Sequence, residues 1–193
     1  MSILIRNAQF EDLEGIAKVQ HFSQAKIEYA EMSNSVVKTC LLSIEQLKQL
    51  WFYRLTDEDF MTIVAYDDSN KVVCGVITFN IFKGCTYVRS LYIEPFYIRQ
   101  GIGSSLLQSC IDACRENDET KMIRLEVLEK NIPARSLYET FGFKYKNFKF
   151  PLELGGTAQK LFSNDIKVLQ MEFKLWFSKI QLLFVNKVKY VLE

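Results

Sequence analysis

The chain of 193 residues carries 24 basic and 23 acidic side chains, a net charge of +1, and is 49% hydrophobic. That length suits one domain with an appended tail, and the apolar share is enough for a sizeable core. The balanced charge excludes broad electrostatic attraction to nucleic acid or to an anionic membrane, and no strong local basic face replaces it.

The first residues, Met1-Ser2-Ile3-Leu4-Ile5-Arg6, form neither a charged leader nor a long apolar stretch, so no signal peptide is expected. No segment approaches the roughly 20 apolar residues of a bilayer span, and a cytoplasmic protein is expected. Ile3–Ile5 reads as a first strand. Glu11 and Asp12 then suit a helix start, with Leu13, Ile16, Ala17 and Val19 near helical spacing. Residues 23–42 show no clear period. Ile44, Leu47, Leu50, Trp51 and Leu55 lie on one face of a second helix, Ile44–Leu55.

Phe60–Tyr66 and Val72–Phe82 read as a hairpin across the turn cluster Asp67-Asp68-Ser69-Asn70. After the turn at Lys83-Gly84, Thr86–Ile93 is the next strand, closed by Pro95. A helix over Gly101–Glu116 carries Ile102, Leu106, Cys110 and Ala113 on one stripe. Met122–Leu128 is a strand and Pro133–Phe141 a helix, with Gly142 placed for a left-handed C-terminal cap. Phe143–Phe150 and Ile166–Phe173 are strands joined by a long connection, Pro151–Asp165. This order implies an α/β fold with a mixed, mostly antiparallel central sheet of about seven strands flanked by helices. Residues 1–173 form the domain. Residues 174–193 form an extension with a rough helical stripe, expected to pack on the domain or on a second subunit of a homodimer.

The five cysteines, Cys40, Cys74, Cys85, Cys110 and Cys114, are odd in number and lack close paired spacing. They read as small buried thiols, and with the single histidine, His21, they form no metal-ligand pattern. His21 is expected in a surface or packing role. Glu28, Glu31, Glu45 and Asp57-Glu58-Asp59 are either an attraction for a cationic amine or a solvated acidic face.

The sharpest local signal is Ile93-Glu94-Pro95-Phe96-Tyr97-Ile98-Arg99-Gln100-Gly101-Ile102-Gly103-Ser104. A strand ends, a glycine-containing turn follows, and an amphipathic helix begins. Helix starts present unpaired N–H groups and the positive end of the dipole, which suits phosphate. Gly101 and Gly103 permit close approach of an anion, and Arg99 can add a charge-assisted bond. A purely structural turn has the same signature. Leu106 occupies the place of the third glycine of a dinucleotide fingerprint, and no Gly-Lys-Ser/Thr follows, so neither that motif nor a P-loop is present.

A second block, Arg124-Leu125-Glu126-Val127-Leu128-Glu129-Lys130-Asn131-Ile132-Pro133-Ala134-Arg135-Ser136-Leu137-Tyr138-Glu139-Thr140-Phe141-Gly142-Phe143, combines a strand, an Asn-x-x-Ala helix start and a Leu-Tyr-Glu-x-x-Gly-Phe helix end. With the upstream turn it resembles the GNAT superfamily of N-acetyltransferases from Ile3 to about Phe173. Within that superfamily it looks most like enzymes that acetylate protein N-terminal amines, such as ribosomal-protein alanine acetyltransferases. One position departs: Ile98 stands where the family's turn opens with Arg or Gln.

The resemblance implies transfer of an acetyl group from acetyl-coenzyme A to a primary amine, on a small molecule or a peptide, by direct attack in a ternary complex. It implies that Arg99, Gln100, Gly101, Ile102, Gly103 and Ser104 hold the pyrophosphate, and that Leu91, Ile93 and Asn131 position pantetheine. An alkylamine has a pKa of about 10 and must lose a proton before it attacks, and the departing thiolate must gain one. Tyr138 is the expected general acid; its spacing equally fits packing with Ala134, Leu137 and Phe141. Glu126 is the expected general base; an ion pair with Arg124 is the rival role, and Glu94 and a water-relayed base are the other candidates. Cys110 and Cys114 are expected to pack, without a covalent acetyl-cysteine. The alternative to an enzyme is a module of this fold that binds or senses acyl-coenzyme A without turnover.

Overall fold

The computed structural model describes residues 2–28, 41–117, 120–148 and 167–175. The elements are β1 (Ile3–Asn7), α1 (Leu13–Ser23) running into a π-helical turn (Gln24–Glu28), α2 (Ile44–Thr56), β2 (Phe60–Asp67), β3 (Val72–Phe82), β4 (Cys85–Ile93), α3 (Ile102–Glu116), β5 (Met122–Leu128), α4 (Ile132–Thr140), β6 (Lys144–Tyr145) and β7 (Val168–Lys174). One seven-stranded sheet runs in the order β1-β2-β3-β4-β5-β7-β6. Every neighbouring pair is antiparallel except β4 and β5. The mixed sheet expected from the sequence is therefore the one formed.

Local chemistry sets the element ends. Ser43 opens α2 with a capping box: its Oγ accepts from Gln46 N–H at 3.2 Å, and its own N–H donates to Gln46 Oε1 at 2.9 Å. Between β2 and β3, Asp67 Oδ1 accepts from Ser69 N–H at 3.0 Å. Lys83 (φ 50°) and Gly84 (φ 73°) make a two-residue hairpin turn whose positive φ values match the strand twist. Asn131 Oδ1 caps α4 by accepting from Ala134 N–H at 3.2 Å, and Gly142 ends it at φ 91°.

Two cores sandwich the sheet. On one face α3 buries Ile102, Leu106, Leu107, Cys110, Ile111 and Cys114 against Ile77, Phe79, Val88, Ile123, Leu125 and Met171. On the other, α1 and α2 bury Ile16, Val19, Leu47 and Trp51 against Val64, Val73 and Val76. Trp51 Nε1 donates to Gln20 Oε1 at 2.7 Å, Gln20 to Gln24 at 3.3 Å, and Gln24 to the Tyr92 hydroxyl at 3.2 Å, a polar chain tying α2 through α1 to β4.

Three expectations are corrected. The strand over Phe143–Phe150 is strand only at Lys144–Tyr145 among the described residues. The last strand begins at Val168. Gly101 is the N-cap of α3 rather than its first helical residue. The connection Pro151–Asp165, Glu31, Cys40 and the extension beyond Leu175 lie outside the described residues.

Candidate active site

Strands β4 and β5 pair only at Cys85–Val88 against Met122–Leu125 and then part. The parting coincides with a bulge: Thr78 faces Ser90 while Phe79 faces Val88, leaving Arg89 as the extra residue of β4. Past the bulge β4 stays paired to β3 through Ile93, and β5 stays paired to β7 through Leu128. A wedge therefore opens in the middle of the sheet. Glu94 N–H donates to Cys74 O at 2.9 Å, so Ile93 with Gly75, and Leu91 with Ile77, are non-hydrogen-bonded pairs. The N–H and C=O of Leu91 and Ile93 consequently point away from β3, into the wedge.

Beyond the wedge the chain turns through Pro95–Tyr97, then Arg99 (φ 63°) and Gly101 (φ 80°), into α3. A Cβ at Gly101 would meet nothing within 4 Å, so this corner is open. Ser105 N–H, bonded to Gly101 O at 3.0 Å, is the first in the helix to find an acceptor. The N–H groups of Ile102, Gly103 and Ser104 precede it with no side-chain cap. Gln100 donates to Phe96 O at 3.1 Å within the turn, and both it and Arg99 are exposed. Leu137 of α4 comes within 3.3 Å of where a Gly103 Cβ would sit, and Ile93 within 3.9 Å. The turn before α3, the end of β4 and α4 thus converge. Tyr138, 6% exposed, lies on that stretch of α4, its ring 5.8 Å from that of Phe143.

Glu126 is the first residue of β5 past the last β4 pair. Leu125 and Val127 face the α3 core, so Glu126 faces the α1–α2 side. Its carboxylate accepts from Gln170 Nε2 at 3.0 Å, and Gln170 Oε1 in turn accepts from Phe148 N–H at 2.8 Å. It opens on a cavity of about 490 Å³ shared with Gln170, Leu169 and Tyr145. Burial pushes its pKa up, against the opposing pull of Gln170 and of the Arg89 charge. Arg124 does not pair with it: Arg124 Nε donates to Glu172 Oε2 at 3.0 Å, which corrects the expected rival role of Glu126.

The other candidates sit elsewhere. Glu94 accepts from Phe96 N–H at 2.7 Å and borders a cavity of about 640 Å³ beside α1, Arg6 and Asp12. His21 Nδ1 lies 2.9 Å from Leu42 O, at the surface end of α1. Cys74, Cys85, Cys110 and Cys114 are buried free thiols, and burial pushes Cys74 and Cys85 up to about 11. Glu45 is exposed and pairs with Lys48 at 3.2 Å. Asp57 accepts from Asp59 N–H at 3.0 Å. Glu58 and Asp59 are exposed as well. No group of metal ligands occurs among the described residues, and no helix of theirs is long and apolar enough to cross a membrane. Sequence reasoning missed Arg89, Ser90 and Gln170. A bulge and a cross-strand register leave no mark in local spacing.

Residues 28–143 match the model of the Acetyltransferase (GNAT) family. The spermine/spermidine N(1)-acetyltransferase of Bacillus subtilis (strain 168) is 26% identical over 155 residues, covering 75% of this chain and 90% of that protein. The PaiA N-acetyltransferase of Thermoplasma acidophilum, solved in complex with coenzyme A, superposes with a TM-score of 0.70 at 25% identity, covering 91% of this chain and all (100%) of that one. The ribosomal-protein-S18-alanine N-acetyltransferase of Escherichia coli shares the fold, with a TM-score of 0.65 at 16% identity over 92% of this chain and 96% of that one. With the wedge, the open helix start and the family match in agreement, the chain belongs to the GNAT family of acetyl-coenzyme A-dependent N-acetyltransferases.

Proposed function

We propose that this enzyme transfers acetyl to a primary amine by direct attack in a ternary complex, with Glu126 as general base and Tyr138 as general acid. The observation that carries the reading is the wedge. It leaves the backbone of Leu91 and Ile93 unpaired beside Glu126, under the open start of α3. Pantetheine adds to β4 as an extra strand would, bonding Leu91 and Ile93. Asn131 uses Oδ1 for its cap and offers its Nδ2 to the same chain. The pyrophosphate takes the N–H groups of Ile102, Gly103 and Ser104, with Arg99 adding charge. Ile98, exposed and extended, costs little there, because the backbone does the binding.

The acyl donor supplies a thioester; the chain supplies proton handling and position. Burial brings Glu126 toward the neutral range, where a carboxylate is a better acceptor of the ammonium proton. Gln170, anchored by Phe148 N–H, holds the carboxylate in place. A tyrosine phenol is protonated at neutral pH and can donate to the departing sulfur. The apolar packing of Tyr138 keeps water from competing for that role.

The test is thiol release from acetyl-coenzyme A across amines and peptides, with Tyr138→Phe beside the wild type. The variant keeps the ring packing on Phe143, so folding is retained while turnover falls by roughly 10²-fold or more. An unchanged kcat removes Tyr138 from the mechanism. Binding of acetyl-coenzyme A without thiol release from any amine overturns the transferase reading.

A further inference from the structure

The face of the sheet that carries Glu126 also carries a cation. Arg54 on α2 reaches across to β4, where Nη1 donates to Ser90 Oγ at 2.9 Å, and its guanidinium lies 4.9 Å from the centre of the Trp51 ring. Ser90 directly follows the bulge residue Arg89, at the mouth of the wedge. Arg54 is half-buried, and no carboxylate among the described residues meets it. The charge of Arg89 acts on it as well, in the unfavourable direction. Burial pushes Arg54 down to about 10; Tyr92 pulls it back up, and Arg89 adds a smaller push down. A guanidinium withdrawn from water without a counter-ion is costly. It has five N–H donors, of which the neutral Ser90 takes one.

A second observation lies one row away. Asn80 on β3 shares a face with Thr78, which is paired with Ser90. It is 1% exposed, and neither its carboxamide oxygen nor its nitrogen has a hydrogen-bond partner. Buried polar atoms are nearly always paired, and an orphaned amide calls for a polar ligand or water. A cation without a carboxylate partner and an unpartnered amide thus lie on the face of the sheet that also carries the carboxylate of Glu126. That arrangement holds the two ends of a zwitterion better than it holds a polycation.

We infer that the acceptor bears a carboxylate beside its amine, the carboxylate held by Arg54 next to Ser90 and the amine turned toward Glu126. This rests on the transferase reading above. A carboxylate matches the planar fork of a guanidinium. A polyamine would bring a second positive charge against Arg54 and Arg89, a repulsion that selects against it. The carboxylate can belong to a free amino acid or to an acidic residue beside a peptide N-terminus.

The experiment compares matched amines under the thiol-release assay: amino acids against their decarboxylated amines, dipeptides ending in Glu amide against Gln amide, and spermidine. The carboxylate member is favoured in kcat/KM by about ten- to a hundredfold, the span of a hydrogen bond to a charged group. The arm that shows the preference identifies the source. Arg54→Gln collapses the ratio toward one, chiefly through KM, and Arg54→Lys restores part of it. Calorimetry with N-acetyl amino acids on the coenzyme A-bound protein reads the anion site without turnover. Binding lost in Arg54→Gln, with no amine acetylated, keeps the anion site and faults the transferase reading. Equal or better use of spermidine or of the neutral amines overturns the inference. So does a variant that lowers both members of each pair alike, or no carboxylate binding at all.

Discussion

Gly75 is where the phosphate turn rests on the sheet, and replacing it tests that link. A Cβ there would lie 3.0 Å from Ile102 Cγ2, Ile93 Cδ1 and Leu106 Cδ1. Ordinary contacts are 3.4–4 Å, so each neighbour must retreat by at least several tenths of an ångström. Ile102 and Leu106 are 3% and 0% exposed and have no free space to enter. Ile102 is the first residue of α3, so its retreat lifts the helix start and the N–H groups that face the wedge. Overpacking costs about 1–3 kcal/mol, and Gly→Ala returns about 0.4–1 kcal/mol by restricting the unfolded chain. Gly75→Ala is therefore expected to lower stability by about 1–2 kcal/mol. It should also weaken acetyl-coenzyme A binding by roughly tenfold, about 1.4 kcal/mol. Urea unfolding followed by fluorescence reads the first and calorimetry the second. Lost stability with unchanged affinity would refute the argument that this seat positions the phosphate turn. No change in either would refute the packing argument itself.

Two further outcomes follow from the same geometry. The proposed base, Glu126, must be ionised to act, and its pKa is raised, so kcat/KM is expected to fall as pH drops through a value above that of an ordinary glutamate. Glu126→Gln removes that limb of the profile. Gln170→Leu deletes a bond that favours the carboxylate, moving the limb to still higher pH; a limb that stays put denies Gln170 its positioning role. Separately, Gln20→Leu strands the Trp51 N–H and breaks the chain to Tyr92. A loss of about 1–3 kcal/mol in urea unfolding is expected, and near-neutrality would mean that water replaces the amide.

Much of this architecture was legible because local chemistry determined it. Val72–Phe82 and Met122–Leu128 form the strands that their β-rich runs predict. Asn131 starts a helix, as the Asn-x-x-Ala pattern predicts, because its side chain satisfies an N–H group that the helix cannot. What stayed hidden depends on pairing between distant segments. That β7 inserts between β5 and β6, setting Gln170 opposite Glu126, is not encoded in either strand alone. The bulge at Arg89 becomes evident only once Val88 and Leu91, three residues apart, are found on the same face. The contacts of Arg54 needed α2 to be laid over β4. Tyr138 was ambiguous for another reason: a residue on the buried stripe of a short helix has the same spacing whether its hydroxyl works or its ring merely packs.

The wedge follows from how the strands are held. Strand β4 is clamped by β3 along its length, and β5 by β7, while the two hold each other over four pairs only. Their connection must pass through α3, and the seat of that helix at Gly75 fixes its start beside the open end. The bulge adds a residue to β4 alone, so the two strands leave register where they part. Backbone N–H groups within a sheet are almost always paired, yet those of Leu91 and Ile93 face a gap. The proposed pantetheine, with amide groups of its own, would complete the ladder there, as a strand added to an edge does. The same bulge turns Ser90 toward α2 and its arginine. One extra residue in one strand thus opens the gap and turns the opposite face toward α2, so the proposed donor slot and the proposed acceptor face share one structural cause.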